Sequence, residues 1–169
     1  MKNKFAILLL LLSSCQTKQE ITYSDFDTID WYSIEINPNE LHKLRKTADS
    51  SDEQRLKFDL LLNDIPEAIT DTSFIQKLEK IGFEKQLIKE AKKVNAINQI
   101  YREKSNGQLI AMACIAIYRD ILIFRRKAKI VGMSKVCLDC WEQQTYGTNE
   151  NTLSIPKPES YKKLLKILY

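Results

Sequence analysis

The chain has 169 residues, one domain's worth and enough to bury a core without metal or disulfide staples. Lys and Arg number 26 against 22 acidic residues, a formal charge of +4 that falls to +2 without Lys2 and Lys4. So slight an excess, spread along the chain, excludes the clustered basic face that nucleic-acid binding needs. Gly and Pro are scarce at four each, and 28% charged with 44% apolar residues describes a globular protein rich in helix.

At the N-terminus, Lys2 and Lys4 precede the apolar run from Phe5 to Leu12, the layout of a secretory leader. As a helix that run would span only about 12 Å, well short of the ~30 Å hydrocarbon core of a bilayer. Leu12-Ser13-Ser14-Cys15 follows, and it resembles the lipobox of bacterial lipoproteins, in which an apolar residue and two small ones precede the cysteine that is acylated. The resemblance implies a signal peptide over residues 1–14, cleavage before Cys15 and a lipid on its sulfur. The partner it implies is a membrane of the bacterial cell envelope, with inner and outer membrane left open. Several acyl chains would hold the protein firmly, each buried CH₂ contributing roughly 0.8 kcal/mol. Residues 15–24 then form a lipidated polar tether, and residues 25–169 a single α+β domain.

Within that domain, Thr28 to Ile36 mixes β-branched and aromatic residues in rough alternation and reads as a first strand. Asn37 is a good N-cap, with Pro38 at the first helical position and Glu40 at the third, so a helix to about Lys46 follows. Asp49, Ser50 or Ser51 caps the next one, which carries Leu56, Leu60 and Leu61 on one face. From Asp52 to Lys104 the chain is helix-prone throughout. Phe74, Ile75, Leu78 and Ile81 keep helical spacing up to a stop at Gly82. A longest helix carries a stripe from Leu87 and Ile88 through Val94 and Ile97 to Tyr101, with Lys85, Lys89, Lys92 and Lys93 opposite as a solvated face. Ser105-Asn106-Gly107 is the turn into the strands.

No Gly, Pro or Asn interrupts Leu109 to Phe124, which predicts one long or bulged strand reaching Arg126. Lys127-Ala128 is then the hairpin and Lys129 to Leu138 the return strand. An even loop pairs Arg126 with Lys129, hence Asp120 with Lys135, Leu122 with Met133 and Phe124 with Val131. The same register sets Cys114 beside Cys140, gathering Cys114, Cys137 and Cys140 at the open end. Thr145 to Ser154 reads as loop. Pro156 and Pro158 introduce a last helix with Tyr161, Leu164, Leu165 and Leu168 on one face. The expected fold is therefore α+β: a small, mainly antiparallel sheet packed by several helices.

With Cys15 lipidated, three thiols remain in a compartment that favours oxidation. They allow one disulfide, Cys114 to Cys140 or Cys137 to Cys140, with one buried free cysteine. They also allow a soft-metal site for copper or zinc on Cys114, Cys137 and Cys140, to which the single histidine, His42, would be the fourth ligand. Redox work by Cys137-Leu138-Asp139-Cys140 is opposed by Asp139, whose charge raises a neighbouring thiol's pKa. The segment from Cys114 to Cys140 further resembles uncharacterised small lipoproteins with a C-terminal Cys-x-x-Cys, a likeness that carries no activity. There is no Gly-rich phosphate loop and no His-containing triad, and Tyr118, Arg119 and Asp120 read as a sheet-end ion pair or the lining of a pocket. No catalytic constellation and no cofactor follows from the sequence. The function expected is a lipid-anchored, non-enzymatic binding module, with a thiol-based metal or redox protein as the alternative.

Overall fold

The computed structural model describes residues 26–102, 114–147 and 158–169. Its centre is a five-stranded antiparallel sheet in the order β2-β1-β3-β4-β5, formed by β1 (Thr28–Ser33), β2 (Glu84–Ile88), β3 (Asp120–Arg126), β4 (Lys129–Cys137) and β5 (Glu142–Gly147). Helices α1 (Pro38–Thr47) and α2 (Asp52–Leu62) cover one face; α3 (Ala91–Arg102) and α4 (Pro158–Leu168) cover the other. This is the α+β arrangement of an antiparallel sheet packed by helices.

Strand β3 is the middle of the sheet and serves both cores. Leu122 and Phe124 meet Trp31, Val94, Ile97 and Tyr161 on the α3/α4 face; Ile121 and Ile123 meet Leu44, Leu60, Leu61 and Leu78 on the other. A strand buried on both faces needs no polar alternation, which is why this run is the most apolar of the described chain. The α1 start is built as its sequence indicates. The Asn37 side chain accepts from the Glu40 amide at 3.0 Å and the Glu40 carboxylate accepts from the Asn37 amide at 2.9 Å, a complete capping box. Ser51 caps α2 by accepting from the Gln54 amide.

The structure departs from the sequence-based expectations at several places. Residues 84–88 are a strand rather than the start of a long helix. Phe83 and Ile88 are buried in opposite cores, and Leu87, which a helix would set on the same face as Phe83, is 57% exposed. The four residues between them are exposed, and Lys85 is held 3.3 Å from Asp30 of β1. Residues 74–81 form only a short 3-10 turn, Ile75–Lys77, before Gly82 at φ +100°, a backbone conformation that costs glycine nothing. The strand expected from Leu109 begins only at Asp120. Residues 114–119 run without strand pairing, while Ser105-Asn106-Gly107 and 109–113 lie outside the described residues.

The hairpin falls at Lys127-Ala128, both at positive φ (47° and 66°), and is tied down by the Lys127 amide donating to Asp27 at 2.8 Å. Beyond it the register shifts by one between Phe124 and Arg125, so that Ile121, not Asp120, faces Lys135, and Ile123 faces Met133. The expected pairs were one residue out because a bulge adds a residue to β4. Finally, Thr145 to Gly147, the start of the expected loop, belong to the strand Glu142–Gly147, where Thr145 is buried and shares a hydrogen bond of 2.9 Å with Ser134 of β4; residues 148–154 lie outside the described residues.

Candidate functional site

At one end of the sheet the strands open onto a cleft of about 680 Å³. One side is the segment that leaves β1 for α1, running from Ile34 to the capping residues Asn37 and Glu40; opposite lie the β4–β5 turn, with Leu138 and Asp139, and the end of α4, with Leu165 and Tyr169. Arg119 and Asp120 close the floor, fixed by the ladder pair Ser33–Asp120 and by the Ile34 amide donating to the Arg119 carbonyl at 3.0 Å.

Asp120 is the buried centre of this floor, 3% exposed. Its Oδ1 accepts from the Trp31 indole N–H at 2.8 Å and from the Tyr169 hydroxyl at 3.0 Å. The Tyr169 ring stands edge-on to Trp31, centroids 5.2 Å apart, so the indole positions both ring and hydroxyl. Burial raises the Asp120 carboxyl above the ordinary carboxylate value, against the Trp31 and Tyr169 hydrogen bonds and the charge of Arg119, which favour ionisation. Tyr169 is raised in turn, by burial first and then by Asp120. Arg119 forms an ion pair with Asp139 across the cleft wall.

Behind the cleft wall sit the cysteines. Cys114 and Cys140 form a disulfide with Cα atoms 5.9 Å apart, while Cys137 is a free, buried thiol. The bond pins residues 114–119 to the β4–β5 turn, and that is how Cys114 reaches Cys140 without the long strand that the sequence led us to expect. Tyr118 packs with Cys137 and Cys140, its N–H donating to the Leu61 carbonyl at 2.9 Å. Burial, reinforced by Glu142 and Asp64, pushes the Tyr118 hydroxyl up to about 12.

Beside this cluster Lys135, which the sequence reading paired with Asp120 across the hairpin, is 1% exposed. Its ammonium donates to the carbonyls of Leu60 at 2.9 Å and Asn63 at 2.5 Å, at the C-terminal end of α2, and lies 4.7 Å from the Tyr118 ring centre. Burial pulls its pKa down to about 7, against the pull of Asp64 and Asp59. The available signal was its position between Met133 and Cys137 in an inward-facing run.

The structure brings Cys114 and Cys140 together but does not couple Cys137 with Cys140, so Cys137-Leu138-Asp139-Cys140 is not a working Cys-x-x-Cys pair. With two thiols bonded to each other and His42 exposed on α1, the copper or zinc site proposed on Cys114, Cys137 and Cys140 is corrected: among the described residues no group of three His, Cys, Asp or Glu side chains is placed to hold a metal ion. Cys15 lies outside the described residues. Arg119 and Asp120, read as a sheet-end ion pair, do not pair with each other: Arg119 pairs with Asp139, and Asp120 with two neutral donors. Glu35 and Tyr169, which line the cleft, and Trp31, which bonds Asp120 from within the core, were missed by sequence reasoning.

Compared with protein-family models, with curated proteins and with solved structures, the chain matches none. The resemblance to bacterial lipoproteins therefore does not stand as an identification: no comparison supports it for Leu12-Ser13-Ser14-Cys15, and the Cys114–Cys140 bond overturns it for the body.

Proposed function

We propose that the protein is a non-enzymatic binding module whose ligand occupies the cleft between the start of β3 and the end of α4. The observation that carries this reading is the make-up of the cleft. Among the described residues it is lined by carboxylates, aliphatic side chains, one arginine, one asparagine and one tyrosine, with no Ser, Thr, Cys, Lys or His to act as a nucleophile or as a base near neutrality. Its polar groups are held rigidly: Asp120 by Trp31 and Tyr169, Arg119 by Asp139, Glu40 by the capping box. Fixed acceptors on strand and helix ends suit recognition.

The module works in the cell envelope, held to a membrane by a lipid on Cys15. The Cys114–Cys140 disulfide supports a compartment outside the cytoplasm, where such bonds persist.

Two measurements test the reading. A set of small cationic, anionic and neutral compounds, titrated into the ¹⁵N-labelled protein, should give saturable amide shifts at Ile36, Arg119, Asp120 and Asp139 for at least one of them; saturable binding that maps only elsewhere would remove the cleft from consideration. Mass spectrometry of protein recovered from membranes should find acyl chains on Cys15, and an intact Met1 terminus would sink the membrane attachment.

A further inference from the structure

Both hydrogen bonds to Asp120 end on the same oxygen, Oδ1. Its other oxygen, Oδ2, has no hydrogen-bond partner among the described residues, although the side chain is 3% exposed and lines the cleft. Neither donor to Oδ1 is charged, and the one cation next to it, Arg119, is engaged by Asp139. Oδ2 is not among the fully buried polar atoms that lack a partner, so it is reached from the cleft and is available to a charged donor. Here the open side of that oxygen is the cavity.

The rest of the cleft has the complementary form. Glu35 lines it, is exposed, and has no ion-pair or hydrogen-bond partner among the described residues. Ile34, Ile36, Leu138 and Leu165 provide an aliphatic wall. The Tyr169 ring is 72% exposed yet held edge-on against Trp31, leaving its surface free to meet a cation. An ammonium or guanidinium group on an aliphatic stem matches all three: charge on Oδ2 and Glu35, stem along the wall, cation beside the ring.

We propose that the cleft binds an organic cation on an aliphatic stem, an alkylammonium or alkylguanidinium group, with Asp120 Oδ2 as the primary acceptor and Glu35 as the second. This rests on the binding reading above and names the ligand class for the same site. A free alkyl amine and a lysine or arginine side chain of a partner share this chemistry.

The test is a titration of the ¹⁵N-labelled protein with three probes: agmatine, N-acetyl-arginine methylamide, and 1-pentanol as a neutral stem. Saturable shifts at the Asp120 and Glu35 amides and the Trp31 indole N–H are expected for the two cations, at least about tenfold tighter than for pentanol. Agmatine binding alone indicates a free amine; equal or tighter binding of the arginine derivative indicates a side chain. Asp120→Asn keeps an acceptor for Trp31 and Tyr169 but removes the charge, and should weaken cation binding by about tenfold or more with the indole N–H resonance retained. Glu35→Gln, at an exposed site where folding is not at stake, should weaken it by about threefold. The proposal is overturned if the cations bind no better than pentanol, or if Asp120→Asn binds them as well as the wild type does. If neutral or anionic compounds move these amides and cations do not, the cation assignment falls and the cleft reading survives; if nothing moves them, both fall.

Discussion

Replacing Lys135 by methionine should destabilise the protein by an amount that grows with pH between 7 and 9. The ammonium is 1% exposed and donates to the Leu60 and Asn63 carbonyls. Methionine fills the space of the stem but leaves two acceptors without their donor, a loss of about 1–3 kcal/mol each when buried. Against this, the charged form of Lys135 is itself costly to bury, which is why its pKa falls from 10.5 to about 7. The sign follows from proton counting. Between pH 7 and 10.5 the unfolded chain holds a proton on Lys135 that the folded chain has released, so folding stability rises with pH across that window and is flat below it. Each pH unit is worth about 1.4 kcal/mol, so the wild type gains about 3 kcal/mol between pH 7 and 9, whereas Lys135→Met gains nothing from this site. Urea denaturation of both proteins at pH 6.5, 7, 8 and 9 reads the difference directly, and groups common to both cancel. The variant should be about 2–4 kcal/mol less stable than the wild type at pH 9 and nearly equal to it at pH 6.5. A difference that stays constant over this range would show that Lys135 remains charged in the fold and would refute the reasoning.

Cys114→Ser should cost about 3–4 kcal/mol on the chain-entropy scale, since the lost bridge joins residues 26 apart in sequence; the check is urea denaturation of the oxidised proteins. In a Cys15→Ala background one thiol should react with Ellman's reagent, and only after denaturation, because Cys137 is buried and the other two are bonded. Changing Lys127-Ala128 to Asn-Gly should stabilise the hairpin by about 1–2 kcal/mol, as both positions sit at positive φ where the present side chains are strained; a melting-temperature rise is the readout. Asp30→Ala should cost about 2–4 kcal/mol by leaving Arg125, 2.8 Å away and half-buried, without its carboxylate; the same denaturation assay applies, and a change within 0.5 kcal/mol, the range of an ordinary surface substitution, would contradict it.

The parts of the fold that could be read from sequence are those where local chemistry and tertiary packing agree. The α1 start was legible because Asn37, Pro38 and Glu40 satisfy the helix end by themselves. Strand β3 was legible because burial on both faces leaves an unbroken apolar run. Strand β2 was not: Glu84 to Leu87 are exposed and helix-prone, and only the open edge of β1 together with the opposite anchors Phe83 and Ile88 makes them extended. Strand β5 was hidden for a similar reason, its Gln-Gln-Thr core being held by β4 and not by hydrophobicity. A bulge leaves no composition mark, so the pairings of Asp120, Leu122 and Phe124 came out one residue off. The cleft was least legible of all. Trp31, Glu35, Asp120, Asp139 and Tyr169 come from four separate parts of the sequence, and nothing about any one of them signals that the others will be near. The cysteines were legible in part: the hairpin register set Cys114 beside Cys140, one of the two disulfides the sequence allowed, and the structure forms that bond through the path of residues 114–119 and not through a long strand.

The most direct measurement is the amide shift map of the full chain with agmatine, wild type beside Asp120→Asn. Saturable shifts confined to Glu35, Ile36, Arg119, Asp120, Asp139 and the Trp31 indole, weakened about tenfold by the substitution, are the expected result. Shifts that scatter over exposed acidic positions such as Glu53 and Glu79 and survive the substitution would contradict it.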